Sequence, residues 1–223
     1  MKHPRPDLLV LDLDGVLIDS EAISAAVLIE LAAEAGVAID APYVAARCLG
    51  RSFPTVARTL SETFGVALPP DFEARYRARL LHRFERELRP MPGVEAMLER
   101  LAVPACIATS SSPPRAARSL AIARLDRFGL RVFTASEVAR GKPAPDLFLH
   151  AAAAMGATPP ACLVVEDSSP GLEAARAAGM GALRFVGGSH LHGFDSGAVP
   201  RALRSWAEVV EAVPSLVRPR DAP

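Results

Sequence analysis

The sequence predicts an α/β fold: a parallel sheet with covering helices, interrupted after its first strand by a helical insert. Three observations lead there. Short continuous apolar runs each end in polar, chemistry-bearing residues. Helical stretches alternate with these runs through the second half of the chain. From Glu21 to about Leu88, no strand-like run occurs. Continuous apolar runs suit strands buried on both faces, which is the situation of a parallel sheet. Strand and helix in alternation then imply right-handed crossovers.

The first strand is Leu8-Leu9-Val10-Leu11, ending in Asp12. The insert follows. Glu21–Ala35 reads as a helix stopped at Gly36, and Thr55–Phe64 as another stopped at Gly65. Asp71–Leu88 reads as a long charged helix with one apolar stripe. Pro90-Met91-Pro92-Gly93 punctuates the return to alternation. Gly93–Leu101 reads as a helix, and Val103–Thr109 as a strand ending in Thr109-Ser110-Ser111-Ser112. Pro113–Ala123 opens on prolines that suit a first helical turn. Arg131–Thr134 is a weaker strand. Pro145–Met155 is an Ala-rich helix ended by Gly156, and Ala161–Val165 is a strand running into Glu166-Asp167-Ser168. Pro170–Ala178 is a helix with Gly179 as its C-cap, and Ala182–Val186 is a last, weaker strand. The chain thus divides into residues 1–19 with 90–223 for the sheet, and 20–89 for the insert. The terminal Arg-Pro-Arg-Asp-Ala-Pro is expected to fray.

Composition narrows the function classes. Lys and Arg number 25 against 25 Asp and Glu, and half of the 223 residues are hydrophobic. A disordered chain is poorer in apolar residues and usually carries net charge. Balanced charge argues against nucleic acid or an anionic membrane as partner. No apolar run approaches the ~20 residues needed to cross a bilayer, and the start lacks the apolar stretch of a signal peptide. Cys48, Cys106 and Cys162 are scattered, which suggests neither a disulfide framework nor a zinc site. A cytoplasmic protein is expected. So is a monomer, since no coiled-coil heptad or association stripe stands out.

Ligands of open parallel sheets bind outside the carboxyl ends of the strands. That rule gathers Asp12 and Asp14, Thr109 and Ser110, and Glu166 and Asp167. Four carboxylates in one place repel unless a cation sits among them. An all-oxygen set favours Mg²⁺, and a bound Mg²⁺ favours a phosphate-bearing substrate. Lys142, fixed by Gly141 and Pro143, can neutralise a phosphoryl oxygen. Thr109 and the amides after it offer donors to the same anion. A nucleophilic carboxylate, a metal, a lysine and hydroxyl donors match phosphoryl transfer through an aspartyl phosphate.

The run Asp12-Leu13-Asp14-Gly15-Val16-Leu17-Ile18-Asp19-Ser20-Glu21 resembles the first motif of the haloacid dehalogenase superfamily. Thr109, Lys142 and Glu166-Asp167-Ser168-Ser169-Pro170-Gly171 are similar to its second, third and fourth motifs, in order and spacing. The resemblance covers nearly the whole chain and implies a Rossmann-like core with residues 20–89 as an α-helical cap domain. It implies that Asp12 is the nucleophile and Asp14 the acid, then base. Asp12, the Asp14 carbonyl and Asp167 would hold Mg²⁺, with Glu166 ligating directly or through water. Thr109, the Ser110 amide and Lys142 would hold the phosphoryl group, and Gly171 would let the loop presenting Asp167 approach closely. The resemblance implies a phosphatase of small phosphorylated sugars or sugar acids. Glu21 and Arg51 are the candidates for substrate contact.

A phosphosugar mutase is the alternative, but Ser24 and Phe53 stand where β-phosphoglucomutases carry a histidine and an arginine. A non-catalytic phosphate-binding protein ranks lower, since no motif residue is lost, and a receiver-type signalling domain lower still. Asp14 also argues against halide displacement. Asp19 and Ser20 read as the hinge into the cap, with a helix N-cap as the alternative. Ser111, Ser112 and Ser168 read as turn and capping residues, with no GxSxG elbow around them. His82, His150, His190 and His192 show no ligand-like spacing; His190 and His192, in a loop after Gly187-Gly188-Ser189 near the last strand, could brush the pocket, with solvated loop histidines the favoured reading. The helix from Asp71 to Leu88 reads as a solvated face from which one or two arginines could meet substrate.

Overall fold

The computed structural model describes residues 5–48, 50–191 and 202–219. Five parallel strands form its sheet: β1 (Leu8–Leu11), β2 (Ala105–Thr109), β3 (Arg131–Thr134), β4 (Cys162–Glu166) and β5 (Gly181–Arg184). Their order is β3-β2-β1-β4-β5. The register places Leu11 of β1 beside Ile107 on one side and Val165 on the other. The strand order reverses direction at β1, and a crevice opens at such a switch point.

The strands' alternation sorts their side chains between two cores. Leu9, Leu11, Ile107, Val165 and Leu183 enter one apolar cluster, whereas Leu8, Val10, Cys106, Ala108 and Val164 enter the other. All four residues of β1 are buried, which is why the strand reads as an unbroken apolar run. Each large side chain so buried contributes roughly 1.5–3 kcal/mol.

Four helices make up the insert that follows β1: α1 (Glu21–Glu34), α2 (Ala41–Arg47), α3 (Phe53–Phe64) and α4 (Phe72–Glu87). Helix α2 was not expected. Asp40 caps it by accepting from the Tyr43 amide at 2.8 Å, and Pro42 suits its first turn. Its seven residues are too few to show a period. Helix α3 starts two residues earlier than expected, with Pro54 in its first turn. Helix α4 buries Phe72, Tyr76, Leu80 and Phe84, spaced by four. Its outer face pairs Arg79 with Glu34 at 2.6 Å and Arg83 with Glu30 at 2.8 Å, exposed pairs that add little stability.

The chain leaves and rejoins the sheet region at one place. The Asp19 amide donates to the Arg89 carbonyl at 3.0 Å, and the Met91 amide to that of Leu17 at 2.8 Å. Helices α5 (Val94–Glu99), α6 (Pro113–Ile122), α7 (Asp146–Ala154) and α8 (Ser169–Ala177) then cover the sheet, joined by α9 (Trp206–Ala212), also unexpected. Trp206 is buried and donates from Nε1 to the Val16 carbonyl at 3.2 Å, bracing the loop behind Asp14. The tail is paired at Arg218, whose amide donates to Arg100 at 2.8 Å. Residues 220–223 lie outside the described part.

Candidate active site

The carboxyl ends of β1, β2 and β4 deliver their polar residues to one place. Asp12 follows β1 directly and donates its amide to the Val165 carbonyl at 3.0 Å, locking it beside β4. Glu166 ends β4 and Asp167 follows. Ligand oxygens of Asp12, Glu166 and Asp167 lie within 4.8 Å of one another, and all three residues are buried. Lys142 arrives from the loop before α7. Its ammonium lies 2.6 Å from Asp12 Oδ1, 2.7 Å from Glu166 Oε1 and 3.1 Å from the Ala108 carbonyl, which uses all three of its donors.

Two glycines make this crowding possible. Gly15 has φ +78°, and a Cβ there would strike the Asp167 carboxylate. Gly171, in the first turn of α8, lies under the Glu166 side chain, where a Cβ would overlap the carboxylate. Glu166 Oε2 accepts from the Ser168 amide at 2.7 Å and hydroxyl at 2.9 Å. Ser168 in turn accepts from the Gly171 amide at 3.1 Å, the capping role expected of it.

Burial dominates the electrostatics. It pushes the Asp12 carboxyl well above the usual range against the pull of Lys142, and neighbouring Glu166 adds to the rise. Asp167 is raised for the same reason. Burial works to lower Lys142, but Asp12 and Glu166 outweigh it and hold the ammonium charged. Once ionised, the three buried carboxylates outnumber the one lysine, which is why burial resists their charge, and all the donors are hard oxygens. The set fits a divalent cation.

Asp14 sits differently. Its Oδ1 accepts from the Ser20 hydroxyl at 2.6 Å and from Arg115 Nη2 at 2.8 Å, and its Oδ2 from the Ser111 hydroxyl at 2.6 Å. Burial works to raise this carboxyl, but Arg115 and the two hydroxyls outweigh it and its pKa is lowered. Ser111 therefore serves Asp14 rather than only a turn. Ser20, at the start of α1, makes no side-chain cap and also turns to Asp14.

The cavity beside Asp12 and Asp14 has a volume of about 430 Å³ and is also lined by Glu21, Arg51, Arg115, Thr109 and Ser110. Thr109 is buried, and its hydroxyl accepts from the Ser111 amide at 3.0 Å. The Ser110 hydroxyl donates to the Gly50 carbonyl at 3.1 Å, joining the insert to the sheet. Glu21 is 9% exposed. Its side chain makes no hydrogen bond among the described residues, and burial, then Asp14 and Asp167, push its carboxyl up to about 8. Arg51 is exposed at the cavity's edge. Arg77 is the α4 arginine that lines the cavity; it donates to Glu73 and Ser112.

Sequence reasoning missed Arg115 and, for His190, favoured the wrong one of two readings. Arg115 follows two helix-opening prolines and shows no pattern that sets it apart. His190 was expected to be solvated, yet its side chain is 7% exposed and its Nε2 lies 3.1 Å from Asp167 Oδ2. Gly188 admits the ring, since a Cβ there would overlap it. The Gly-Gly before the histidine was the signal that placed it near the pocket. His192 lies outside the described residues.

Open α/β sheets handle phosphate esters at this edge, and the class defined here is a phosphoric monoester hydrolase acting on small phosphorylated substrates. More narrowly, the chain belongs to the haloacid dehalogenase-like hydrolases, whose family pattern matches residues 6–179. It is 29% identical over 188 residues to the 6-phosphogluconate phosphatase of Escherichia coli K12, covering 83% of this chain and 85% of that protein. It is 31% identical over 179 residues to fructose-1-phosphate phosphatase of the same organism, covering 78% and 94%. Among solved structures, a HAD family hydrolase from Deinococcus radiodurans R1 with bound phosphate and sodium superposes with a TM-score of 0.73 at 32% identity, covering 97% of this chain and 99% of that one.

Proposed function

We propose that this enzyme is a Mg²⁺-dependent phosphatase that hydrolyses small phosphorylated sugars or sugar acids through an aspartyl phosphate on Asp12. The observation that carries the reading is the convergence of Asp12, Glu166 and Asp167 around Lys142, with Asp14 on the cavity side. In the first step a carboxylate oxygen of Asp12 bonds to phosphorus and the ester P–O bond breaks. Asp14 gives its proton to the departing alcohol oxygen. In the second step Asp14 takes a proton from water, whose oxygen attacks phosphorus. The acyl-phosphate bond breaks, returning inorganic phosphate and the Asp12 carboxylate.

Asp12, Asp167 and the Asp14 carbonyl would hold the metal, with Glu166 behind them. Both Glu166 oxygens already accept hydrogen bonds, from Lys142 and Ser168, which favours an indirect role. The cation supplies charge neutralisation for the phosphoryl oxygens. Lys142, the Thr109 hydroxyl and the Ser110 amide orient the phosphoryl group, and residues 20–89 act as a cap that excludes water. Glu21 and Arg51 face the leaving group; a buried carboxyl with no hydrogen-bond partner among the described residues suits a polyol's hydroxyls. The names of the two E. coli relatives support a sugar-derived alcohol.

The test is phosphate release from sugar phosphates with Mg²⁺, with and without EDTA. Asp12→Asn abolishes turnover with the fold intact, and an Asp12→Asn variant as active as the parent overturns the nucleophile. Conversion of β-glucose 1-phosphate to glucose 6-phosphate, in place of phosphate release, would replace the phosphatase by a mutase.

A further inference from the structure

We propose that Arg115 recognises a second anionic group on the leaving portion of the substrate, and that in the free enzyme it is parked on Asp14. A substrate bearing a carboxylate or a second phosphoryl group would thus draw Arg115 off Oδ1 and open that oxygen to the leaving alcohol. The inference rests on the acid–base role of Asp14 proposed above and adds the substrate's charge to it.

Arg115 stands in the first turn of α6, directly after Pro113 and Pro114. Its Nη2 meets Asp14 Oδ1 at 2.8 Å and reaches the Ser24 hydroxyl of α1 at 3.3 Å. Its guanidinium carbon lies 5.8 Å from the ring centre of Phe84 on α4. The side chain is 19% exposed and lines the cavity. Its Nε is buried and has no partner among the described residues. The guanidinium thus sits between sheet and insert, bound to Asp14 through a single nitrogen.

The three contacts on Asp14 are not equivalent. A serine hydroxyl both donates and accepts, so Ser20 and Ser111 can turn to accept from a carboxyl that carries a proton. A guanidinium only donates and keeps its charge. Oδ1 is covered from two sides, by the Ser20 hydroxyl and by Arg115, whereas Oδ2 meets only Ser111. Arg115 is therefore the contact whose departure opens Oδ1 to the cavity. An anion in the cavity offers a fork-shaped, two-bond partner in exchange for the one-bond contact with Asp14. The other arginines on the cavity wall are less suited: Arg77 is committed to Glu73 and Ser112, and Arg51 lies exposed at the edge. Glu21 also faces this space, and burial keeps its carboxyl protonated at neutral pH, so it can donate to an anion rather than repel it.

The experiment compares 6-phosphogluconate with glucitol 6-phosphate, which differ by a carboxylate against a hydroxymethyl group. Fructose 1,6-bisphosphate against fructose 1-phosphate makes the second-phosphate arm. The parent enzyme is expected to favour one anionic member by about tenfold or more in kcat/KM. Part of that advantage should lie in kcat, because release of Asp14 acts on the chemical step. Arg115→Met should bring the ratio toward one, through loss on the anionic substrate, and Arg115→Lys should recover part of it. A parent enzyme that hydrolyses both members of each pair equally overturns the inference with no variant needed. So does an Arg115→Met variant that lowers both members equally, or an anionic advantage confined to KM. Hydrolysis that survives Asp12→Asn, or no phosphate release from any of the four compounds, overturns the phosphatase reading itself and this inference with it.

Discussion

His190 lies against Asp167, with Nε2 3.1 Å from Oδ2 and both side chains sealed from solvent. The residue before it, Ser189, donates from its amide at 3.0 Å and its hydroxyl at 2.8 Å to Asp19 Oδ1. One turn therefore orients a carboxylate of the proposed metal site and fixes the chain where it departs for α1. Partners of this kind on metal-ligating groups are typically worth 10–100-fold in metal affinity. His190→Ala is expected to raise the Mg²⁺ concentration for half-maximal phosphate release by about tenfold or more. His190→Asn, which keeps a donor, should recover part of the shift. An unchanged Mg²⁺ titration would show that Asp167 needs no help from the ring.

Lys142 is the cation among three buried carboxylates. Breaking a buried pair by removing one partner costs about 3–5 kcal/mol, so Lys142→Met should lose activity and unfold earlier at neutral pH. The penalty should shrink as pH falls, because Asp12 then takes up a proton and no longer needs the ammonium. Thermal unfolding of parent and variant across pH checks both points; a penalty independent of pH would contradict the charge argument.

Glu21 gives a pH dependence with a definite sign. Its carboxyl titrates near 4.5 when unfolded and near 8 when folded. Between these values the unfolded chain has lost the proton and the folded chain keeps it, so this group makes stability fall as pH rises through that window. Glu21→Gln removes the effect. The variant should gain on the parent from about pH 5 to pH 8 by up to a few kcal/mol, and show no relative gain below the window. Urea unfolding at both ends of the range decides it, and a constant difference between the two proteins counts against the raised pKa.

Gly171→Ala places a Cβ where the Glu166 carboxylate lies. Overpacking of this kind costs about 1–3 kcal/mol, and the displaced Glu166 would pull away from Lys142. Unfolding in urea and phosphate release should both suffer. Parent-like behaviour in both would mean that α8 shifts freely.

The sheet was legible because β1, β2 and β4 are buried on both faces and so appear as unbroken apolar runs. The carboxylates were legible because they stand at the ends of those runs. Helix α2 was not, since seven residues span barely two turns, and α9 was not, since its cap residue Ser205 precedes too short a pattern. Arg115, Ser20 and Ser111 all converge on Asp14, yet each occupies a position where its local role in a helix start accounts for it equally well. His190 depends on a fold-back of residues 188–191 against Gly15, which no local periodicity encodes.

The backbone bonds from Asp19 to Arg89 and from Met91 to Leu17 pinch residues 20–88 into a bead on a short stem. The stem alone decides where β1 hands over to α5, so a bead of another size would leave every strand register in place. Lengthening it would also be cheap, since doubling a closed loop costs only about 0.6 kcal/mol in chain entropy. Such an architecture frees the sheet's register from the bead's size, while Ser20, Ser24 and Gly50 still tie the bead to Asp14, Arg115 and Ser110 and must travel with any exchange.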